Sequence, residues 1–469
     1  MKPLKRLFLC IAGVLAASVA NLPAQTLTVL HNFSASTNTV NADGENPNAD
    51  LEVSGTTLYG TAPVGGSYGW GTIYSVCTSG SNFTVLHAFS GGSDGATPNK
   101  SLILAGNNFY GLVGRGTNLA GYGSVFSIAT NGSNFTIVYT FTATGNGVLE
   151  NPNGGLLFSN GTLFGTANEG GISSGGTIFS IDLSTTNFSL LHQFVSATDG
   201  KNPLGVMVLT NGVLYGTTRN GGSNGTYGTV FSISTNGDNY TVLHTFAGTP
   251  QLDGANPDAG LVLSGNVLCG TTGFGGANGG GTVFSITTDG NTYSVLHSFS
   301  GSNDIPESAL FLNGNTLYGT TLGNGSSGSG EIFSINTDGS SFTPLHTFST
   351  ATASDGYTNA DGAKPYSTPV MSGTVLYGTT SQGGVNGNGV VFSLGIVPKI
   401  IAITVNGPNV LLNAINGIAG NTYTVLASSN LRAPLTNWTS VATNVLASGG
   451  NFSITATNAI PAFFILKTP

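Results

Sequence analysis

Charge is the scarcest property of this chain. Lys, Arg, Asp and Glu make up 6% of its 469 residues, against about a quarter in ordinary globular domains, so networks of surface ion pairs are excluded as the main source of stability. The 11 basic residues are outnumbered by 19 acidic ones, which argues against nucleic acid as a partner, because phosphate binding needs clustered Lys and Arg. Cysteine is almost absent: beyond Cys10 only Cys77 and Cys269 occur, at different positions of different repeat copies, so no disulfide framework is available. Helical periodicity is missing outside the first 20 residues, and so is any second apolar run long enough to span a bilayer.

The one apolar run lies at the start. Lys2, Lys5 and Arg6 precede an apolar stretch from Leu7 to about Ala17, followed by small residues up to Ala24. This pattern predicts a secretory signal peptide over residues 1–24, because a membrane anchor needs about 20 apolar residues. The chain is therefore expected to be exported, extracellular or associated with the cell surface, with no transmembrane segment once the signal is removed. Removal takes three of the 11 basic residues and leaves a formal charge of 8 minus 19, or −11.

Glycine is abundant instead, at 72 residues with 18 Pro, and it is periodic. One strand-like element recurs as LYGTA at 58, FYGLV at 109, LFGTA at 163, LYGTT at 214, LCGTT at 268, LYGTT at 317 and LYGTT at 376. A Gly-rich loop follows each copy and leads to IYSV at 73, VFSI at 125 and their counterparts at 178, 230, 283, 332 and 391. A third element reads VLHNF at 29, VLHAF at 85, IVYTF at 137, LLHQF at 190, VLHTF at 242, VLHSF at 295 and PLHTF at 344. A fourth, such as LEVSG or LILAG, precedes each LYGT. Four short strands per copy, joined by SG, NG and DG turns, describe an antiparallel blade.

The phase of the repeat predicts how the array closes. VLHNF at 29 precedes any LYGT element, and VFSL at 391 has no VLHxF after it. Pairing the N-terminal strand with the last three-stranded copy completes a seventh blade and removes the exposed edges that an open β-solenoid would leave. The expected fold is all-β: a seven-bladed β-propeller of four-stranded blades over residues 25–397, closed by its N-terminal strand. From 398 to 469 the repeat stops, and alternating runs such as IIAITV, NVLLNA and NFSITAT predict a small Ig-like or fibronectin-like β-sandwich module.

The LYGTT, GGxxGxGTVFSI, TDGxNYTVLHxF and DGxxP elements resemble the GloVer-type tandem repeat of exported, choice-of-anchor bacterial proteins, over residues 27 to about 397. That resemblance implies a repeat architecture and export, and no particular chemistry.

Every histidine, His31, His87, His192, His244, His297 and His346, occupies one place in VLHxF. Asp43, Asp94, Asp199, Asp253 and Asp361 share one place in DGxxP, with Asp304 nearby in the shortened sixth copy. The copy carrying Tyr139 instead of His has Val148 instead of Asp. This joint loss predicts structural struts in which imidazole and carboxylate satisfy one another. A ring of metal-bound histidines is not expected, because symmetry-related residues meet at ligand distance only near a propeller axis. No metal and no cofactor is predicted.

The Gly-rich loops lead into strands and not helix N-termini, so they are hairpin loops and not phosphate cradles. Their variable positions carry Trp70, Tyr122 and Tyr227, with Arg115, Arg219, Glu169 and Asn220 in the same loops. An aromatic and polar arc of this kind suits sugar stacking or a protein anchor, although each aromatic could instead cover its own hairpin. For catalysis no pair of acids is singled out: Glu169 is the best candidate, with Asp50, Glu52, Asp258 and Glu331 behind it. No catalytic residue is assigned. The expected function is a monomeric, non-enzymatic recognition scaffold that binds polysaccharide or an envelope or extracellular protein through one propeller face, with a glycan-active hydrolase or lyase, or a purely structural envelope protein, as alternatives.

Overall fold

The computed structural model describes residues 25–98, 100–114, 122–142, 149–150, 152, 154–195, 198–223, 227–248, 253–301, 304–323, 328–352, 356–396, 399–406, 409–418, 421–428, 437, 439–446, 450–456 and 463–467. The expected signal peptide, Arg115 and Val148 lie outside them. Two compact units are present, one holding Leu27–Leu312 and Leu317–Ser393, the other the residues from Leu394 onward together with Asn313–Thr316.

The first unit is a seven-bladed β-propeller of four-stranded antiparallel blades. Blade one shows the plan, with strands Glu52–Ser54, Thr57–Ala62, Thr72–Cys77 and Thr84–Ala88 paired in chain order. Tyr59 faces Ser75 and Gly60 faces Tyr74 across the central pair. First strands of neighbouring blades approach one another, as Glu52–Ser54 does Val370–Ser372. They are therefore innermost, and the VLHxF strands are outermost.

The glycine of LYGT is required by the aromatic of the next strand. A Cβ at Gly216 would lie 2.5 Å from Phe231 Cζ, and one at Gly319 would lie 2.6 Å from Phe333 Cζ. Each ring thus lies flat against a backbone that no side chain can interrupt. A bulge then separates Val230 from Phe231 where they pair with the outer strand: Val230 faces His244, and Phe231 faces Val242. The same shift recurs at Ile73/Tyr74, Val125/Phe126, Ile178/Phe179, Val283/Phe284 and Ile332/Phe333. The extra residue turns the His toward the loop that follows.

The core lies between blades. Tyr215, Val230 and Phe246 of blade four pack with Leu261, Leu268, Phe284 and Ile286 of blade five. Burying one such Phe is worth about 1.5–3 kcal/mol, and the VLHxF phenylalanines Phe33, Phe194, Phe246 and Phe348 are all fully buried. Threonines reinforce the seams: Thr217 Oγ1 donates to the Ala259 carbonyl at 2.9 Å and Thr271 Oγ1 to the Ser308 carbonyl at 2.8 Å.

Closure follows the phase of the repeat. Leu27–Asn32 is the outer strand of blade seven, beside Val390–Gly395, Val375–Thr380 and Val370–Ser372. Phe33, Tyr377 and Val391 pack against Leu51, Leu58, Tyr74 and Val76, in the manner of the seam between blades four and five. Thr379 Oγ1 donates to the Ala49 carbonyl at 3.3 Å and the Thr368 amide to Asp50 Oδ1 at 2.6 Å, so the first and last blades are joined by polar as well as apolar contacts.

The second unit contains two three-stranded sheets. One orders Lys399–Asn406, Asn409–Gly417 and Gly450–Ala456; the other orders Thr439–Val445, Thr422–Ser428 and Phe463–Lys467. Val410, Leu412 and Ile454 from the first share a buried cluster with Tyr423 and Val425 from the second. The Ile418 amide donates to Tyr423 Oη at 2.9 Å, which satisfies the one polar atom of that buried ring. Cys77 and Cys269 are both free.

Candidate functional site

The histidines belong to the frame. Nε2 lies within hydrogen-bonding distance of Asp Oδ2 in five copies: 2.8 Å for His31 and Asp43, 3.1 Å for His87 and Asp94, 3.0 Å for His192 and Asp199, 3.2 Å for His244 and Asp253, 2.9 Å for His346 and Asp361. The carboxylate also accepts a backbone amide just after the outer strand, such as Val195 N–H at 2.9 Å. Five of the six imidazoles, those of His31, His87, His192, His244 and His297, further stack on an aromatic four residues before the next blade's VLHxF His or Tyr; for His346 that place holds Leu27, and its ring meets Phe348 edge-on. His192 and Tyr240 have ring centroids 3.9 Å apart and planes at 2°; His87 and Phe135 are at 4.0 Å and 3°. In the third copy Tyr139 keeps the stack, on Phe188, at 4.8 Å.

The sixth copy departs from the strut pattern. Asp304 does not pair with His297; its carboxylate accepts the Gly301 amide at 2.7 Å and is 3% exposed. Only one residue separates Asp304 from Pro306, against three between Asp94 and Pro98, and the shorter loop draws the acid inward. Burial raises its pKa. His297 keeps its stack on Phe342 at 3.8 Å.

In a four-stranded antiparallel blade, the loop between strands two and three and the loop leading to the next blade emerge at the same end. Hydrogen bonds tie them together, Lys201 N–H to the Asn220 carbonyl at 2.7 Å and Ala255 N–H to the Phe274 carbonyl at 2.8 Å. Of the twelve exposed large apolar side chains among the described residues, ten lie in these loops, Tyr68, Ile172, Tyr357 and Val385 among them; only Val295 and Val445 lie elsewhere. One end of the propeller thus carries ten of its eleven exposed large apolar side chains among the described residues.

The loop residues singled out in the sequence each have identifiable contacts, Arg115 excepted, which lies outside the described residues. The Trp70 indole lies over Gly91 and the Tyr227 ring over Gly248, so tightly that a Cβ at either glycine would meet the ring at 2.7 or 3.1 Å. Tyr122 is half-buried against the core between blades two and three. These aromatics shield turns of their own blades. Asn220 is held in a chain of amides, donating to Asn202 Oδ1 and accepting from Asn256 Nδ2, both at 3.1 Å. Glu169 is exposed, in a two-residue pairing with Glu150. Arg219 alone leaves this set and reaches inward, its Nε 3.3 Å from Asp258 Oδ1.

That contact marks a cluster near the propeller axis, which the recurring motifs did not reveal. Asp50, Lys100, Asp258, Glu307 and Tyr366 all lie within three residues after the proline of the DGxxP-type loop, just before an inner strand, in different blades. Lys100 interacts electrostatically with Asp50, Asp258 and Glu307. Burial lowers its pKa, and the three acids oppose this. Burial pushes the Asp258 carboxyl up to about 7, with Glu307 adding to the shift and Arg219 and Lys100 opposing it. Burial likewise raises Glu307, against Arg219 and Lys100. The Asp258 side chain is 8% exposed, and neither of its oxygens has a hydrogen bond in good geometry. Of the acids weighed from the sequence, Asp50 and Asp258 join this cluster. Glu331 is buried in blade six, accepting Thr347 Oγ1 at 3.3 Å, and Glu52 is half-buried on an inner strand.

The model of the Gloeobacter/Verrucomicrobia repeat matches residues 20–227 and 195–392. The chain belongs to this family. No curated protein matches it significantly. Among solved structures, the repeat protein is similar to PorZ, an essential surface component of the type-IX secretion system of Porphyromonas gingivalis, at 12% identity and a TM-score of 0.50 over 91% of this chain and 60% of that one. It is also similar to the extracellular domain of a candidate one component system from B. thetaiotaomicron (10%, 0.48, 83% and 46%) and to an oligogalacturonate lyase in complex with manganese (11%, 0.46, 80% and 96%). At these identities the likeness concerns fold alone. Among the described residues no helix is long and apolar enough to cross a membrane.

Proposed function

We propose that this Gloeobacter/Verrucomicrobia repeat protein is an exported, non-enzymatic recognition scaffold that binds polysaccharide through the loop-bearing end of its propeller. The observation that carries this reading is the collection of exposed apolar side chains at that end, ten of twelve among the described residues. Tyr68, Tyr357 and Tyr366 are 60%, 40% and 40% exposed there, and such rings pack on the C–H faces of sugars while their hydroxyls reach polar groups. A chain with so few charges offers little for recognition of a strongly charged partner. The smaller unit is read as an Ig-like or fibronectin-like sandwich.

A glycan array probed with the mature protein tests the proposal. Saturable binding that falls at least tenfold in a folded Tyr68→Ala/Tyr357→Ala variant supports it, and unchanged binding in that variant counts against the face. The Asp258 and Glu307 carboxyls favour one second reading, a glycan-active hydrolase or lyase, because two acids raised to different extents suit general acid and base. Release of reducing sugar by the mature protein, abolished in Glu307→Gln, would establish that reading instead.

A further inference from the structure

We propose that the axial end of the loop-bearing face holds a subsite for one neutral sugar residue, the terminal unit of a glycan, formed by Lys100, Arg219, Glu307 and Tyr366 over a positioning residue, Asp258. This rests on the reading of that face as a glycan-binding surface and assigns the place where a chain end sits.

The first argument is the economy of charge. In a chain with 6% charged residues, five charged side chains from separate loops meet here. None belongs to the histidine struts, although Asp50 also joins the first and last blades through the Thr368 amide. Asp258 is the clearest sign that the cluster serves something besides folding. Leaving a buried acceptor without a hydrogen bond costs about 1–3 kcal/mol, yet Asp258 Oδ2 is left so and Oδ1 has only the ion pair with Arg219. The Arg219–Asp258 contact at 3.3 Å, with the arginine side chain 40% exposed, fixes one edge of the guanidinium and leaves the rest turned outward. Lys100 interacts electrostatically with Asp50, Asp258 and Glu307, and Glu307 with Arg219 and Lys100.

The second argument is space. Gly273 lies beside the cluster, and a Cβ built on it would meet only the Asn256 carbonyl at 3.6 Å, Glu307 Cγ at 3.7 Å and Asp258 Oδ2 at 3.8 Å. Its φ is not positive, so the backbone does not require glycine here. The absent side chain leaves room for a methyl-sized group beside the two acids, at ordinary van der Waals distance from both.

The third argument is chemical complementarity. Ionised Glu307 only accepts hydrogen bonds, whereas Lys100 and Arg219 only donate. A ligand that satisfies all three must offer donors and acceptors on neighbouring atoms, as the vicinal hydroxyls of a sugar do. Two cations, Lys100 and Arg219, stand among the carboxyls of Asp50, Asp258 and Glu307, so the cluster has no large excess of either sign to select an anion or a cation. Tyr366, 40% exposed beside Glu307, supplies a ring face for stacking.

The test is titration calorimetry of the mature protein with cello-, malto- and manno-oligosaccharides, beside glucuronate and glucosamine oligomers. Wild type is compared with Lys100→Met, Gly273→Val and Tyr366→Ala, and with the rim variant Tyr68→Ala/Tyr357→Ala. The expected result is binding of a neutral oligosaccharide, weakened at least tenfold by each axial substitution that leaves the melting temperature within a few degrees. Full affinity in all folded axial variants, with loss in the rim variant, overturns the subsite and leaves the face as the binding surface. Binding restricted to glucuronate or glucosamine oligomers overturns the neutral-sugar assignment. No binding of any probe by the wild type overturns the subsite and the glycan reading together.

Discussion

The imidazole of His192 lies face to face on the ring of Tyr240, 3.9 Å between centroids, while its Nε2 lies 3.0 Å from Asp199 Oδ2. Tyr240 in turn donates its hydroxyl to the Asp199 carbonyl at 2.5 Å. Three residues of one outer strand, one loop and the next blade form a closed polar and aromatic unit, which explains why the histidine recurs without any need for chemistry.

His192→Ala removes the stack and leaves Asp199 short of one partner. A loss of about 2–3 kcal/mol follows from a stacking contribution of about 1 kcal/mol and an acceptor left underbonded. His192→Phe keeps the stack and loses less. Chemical denaturation of the two variants checks the order.

The pH dependence of the frame has a definite sign. Burial lowers the pKa of His87, His192 and His297, opposed by Asp94 and Asp199 in the first two. The unfolded chain then binds more protons than the folded one just below the ordinary histidine pKa of 6.5. Stability is accordingly complete above that value and falls as pH drops through and below it. A melting temperature that is flat above neutrality and declines from about pH 6.5 is the expected result, with a shallower decline in His192→Phe.

Asp258 acts in the opposite direction. Its folded pKa, pushed up to about 7 by burial, lies above the unfolded value, so its ionisation costs the fold progressively more as pH rises toward 7. Asp258→Asn removes that cost. The melting-temperature difference between Asp258→Asn and wild type is expected to be more favourable to the variant at pH 8 than at pH 5, and equal differences at both would contradict the assignment.

Ring closure depends on a short N-terminal strand. The Phe33 amide donates to the Gly389 carbonyl at 3.2 Å, and Asn386 Nδ2 to the Phe33 carbonyl at 2.9 Å, around a ring that is 0% exposed. Phe33→Ala is expected to cost about 3–5 kcal/mol, and deletion of Leu27–Phe33 to abolish cooperative unfolding. Calorimetry of both proteins distinguishes closure from an open array, which would tolerate the deletion.

What recurs was legible in the sequence. Seven copies gave the blades, and the displaced VLHNF gave the closure, because a missing strand at one end must be supplied from the other. The pairing of His with Asp could be read from their joint loss around Tyr139. The stacking partners are less legible: Phe83, Tyr240, Tyr293 and Phe342 stand four residues before a histidine and Phe135 four before Tyr139, but each ring packs on the histidine of the preceding blade, a neighbour that the linear repeat does not show. The axial cluster was harder still. Lys100, Asp258, Glu307 and Tyr366 are different residues, and only their shared place after the loop proline unites them. Arg219 is legible in the sequence only as a member of the variable loops, because sequence gives a loop position and not the direction in which a long side chain reaches.

The central claim is that recognition resides where the copies differ, and that the repeated histidines serve the frame. The most direct measurement is the affinity of the mature protein for the glycan selected on the array, in Tyr68→Ala/Tyr357→Ala beside His192→Phe, both confirmed folded by melting. The account predicts at least a tenfold loss in the first and wild-type affinity in the second. Wild-type affinity in the loop variant with loss in His192→Phe would contradict it.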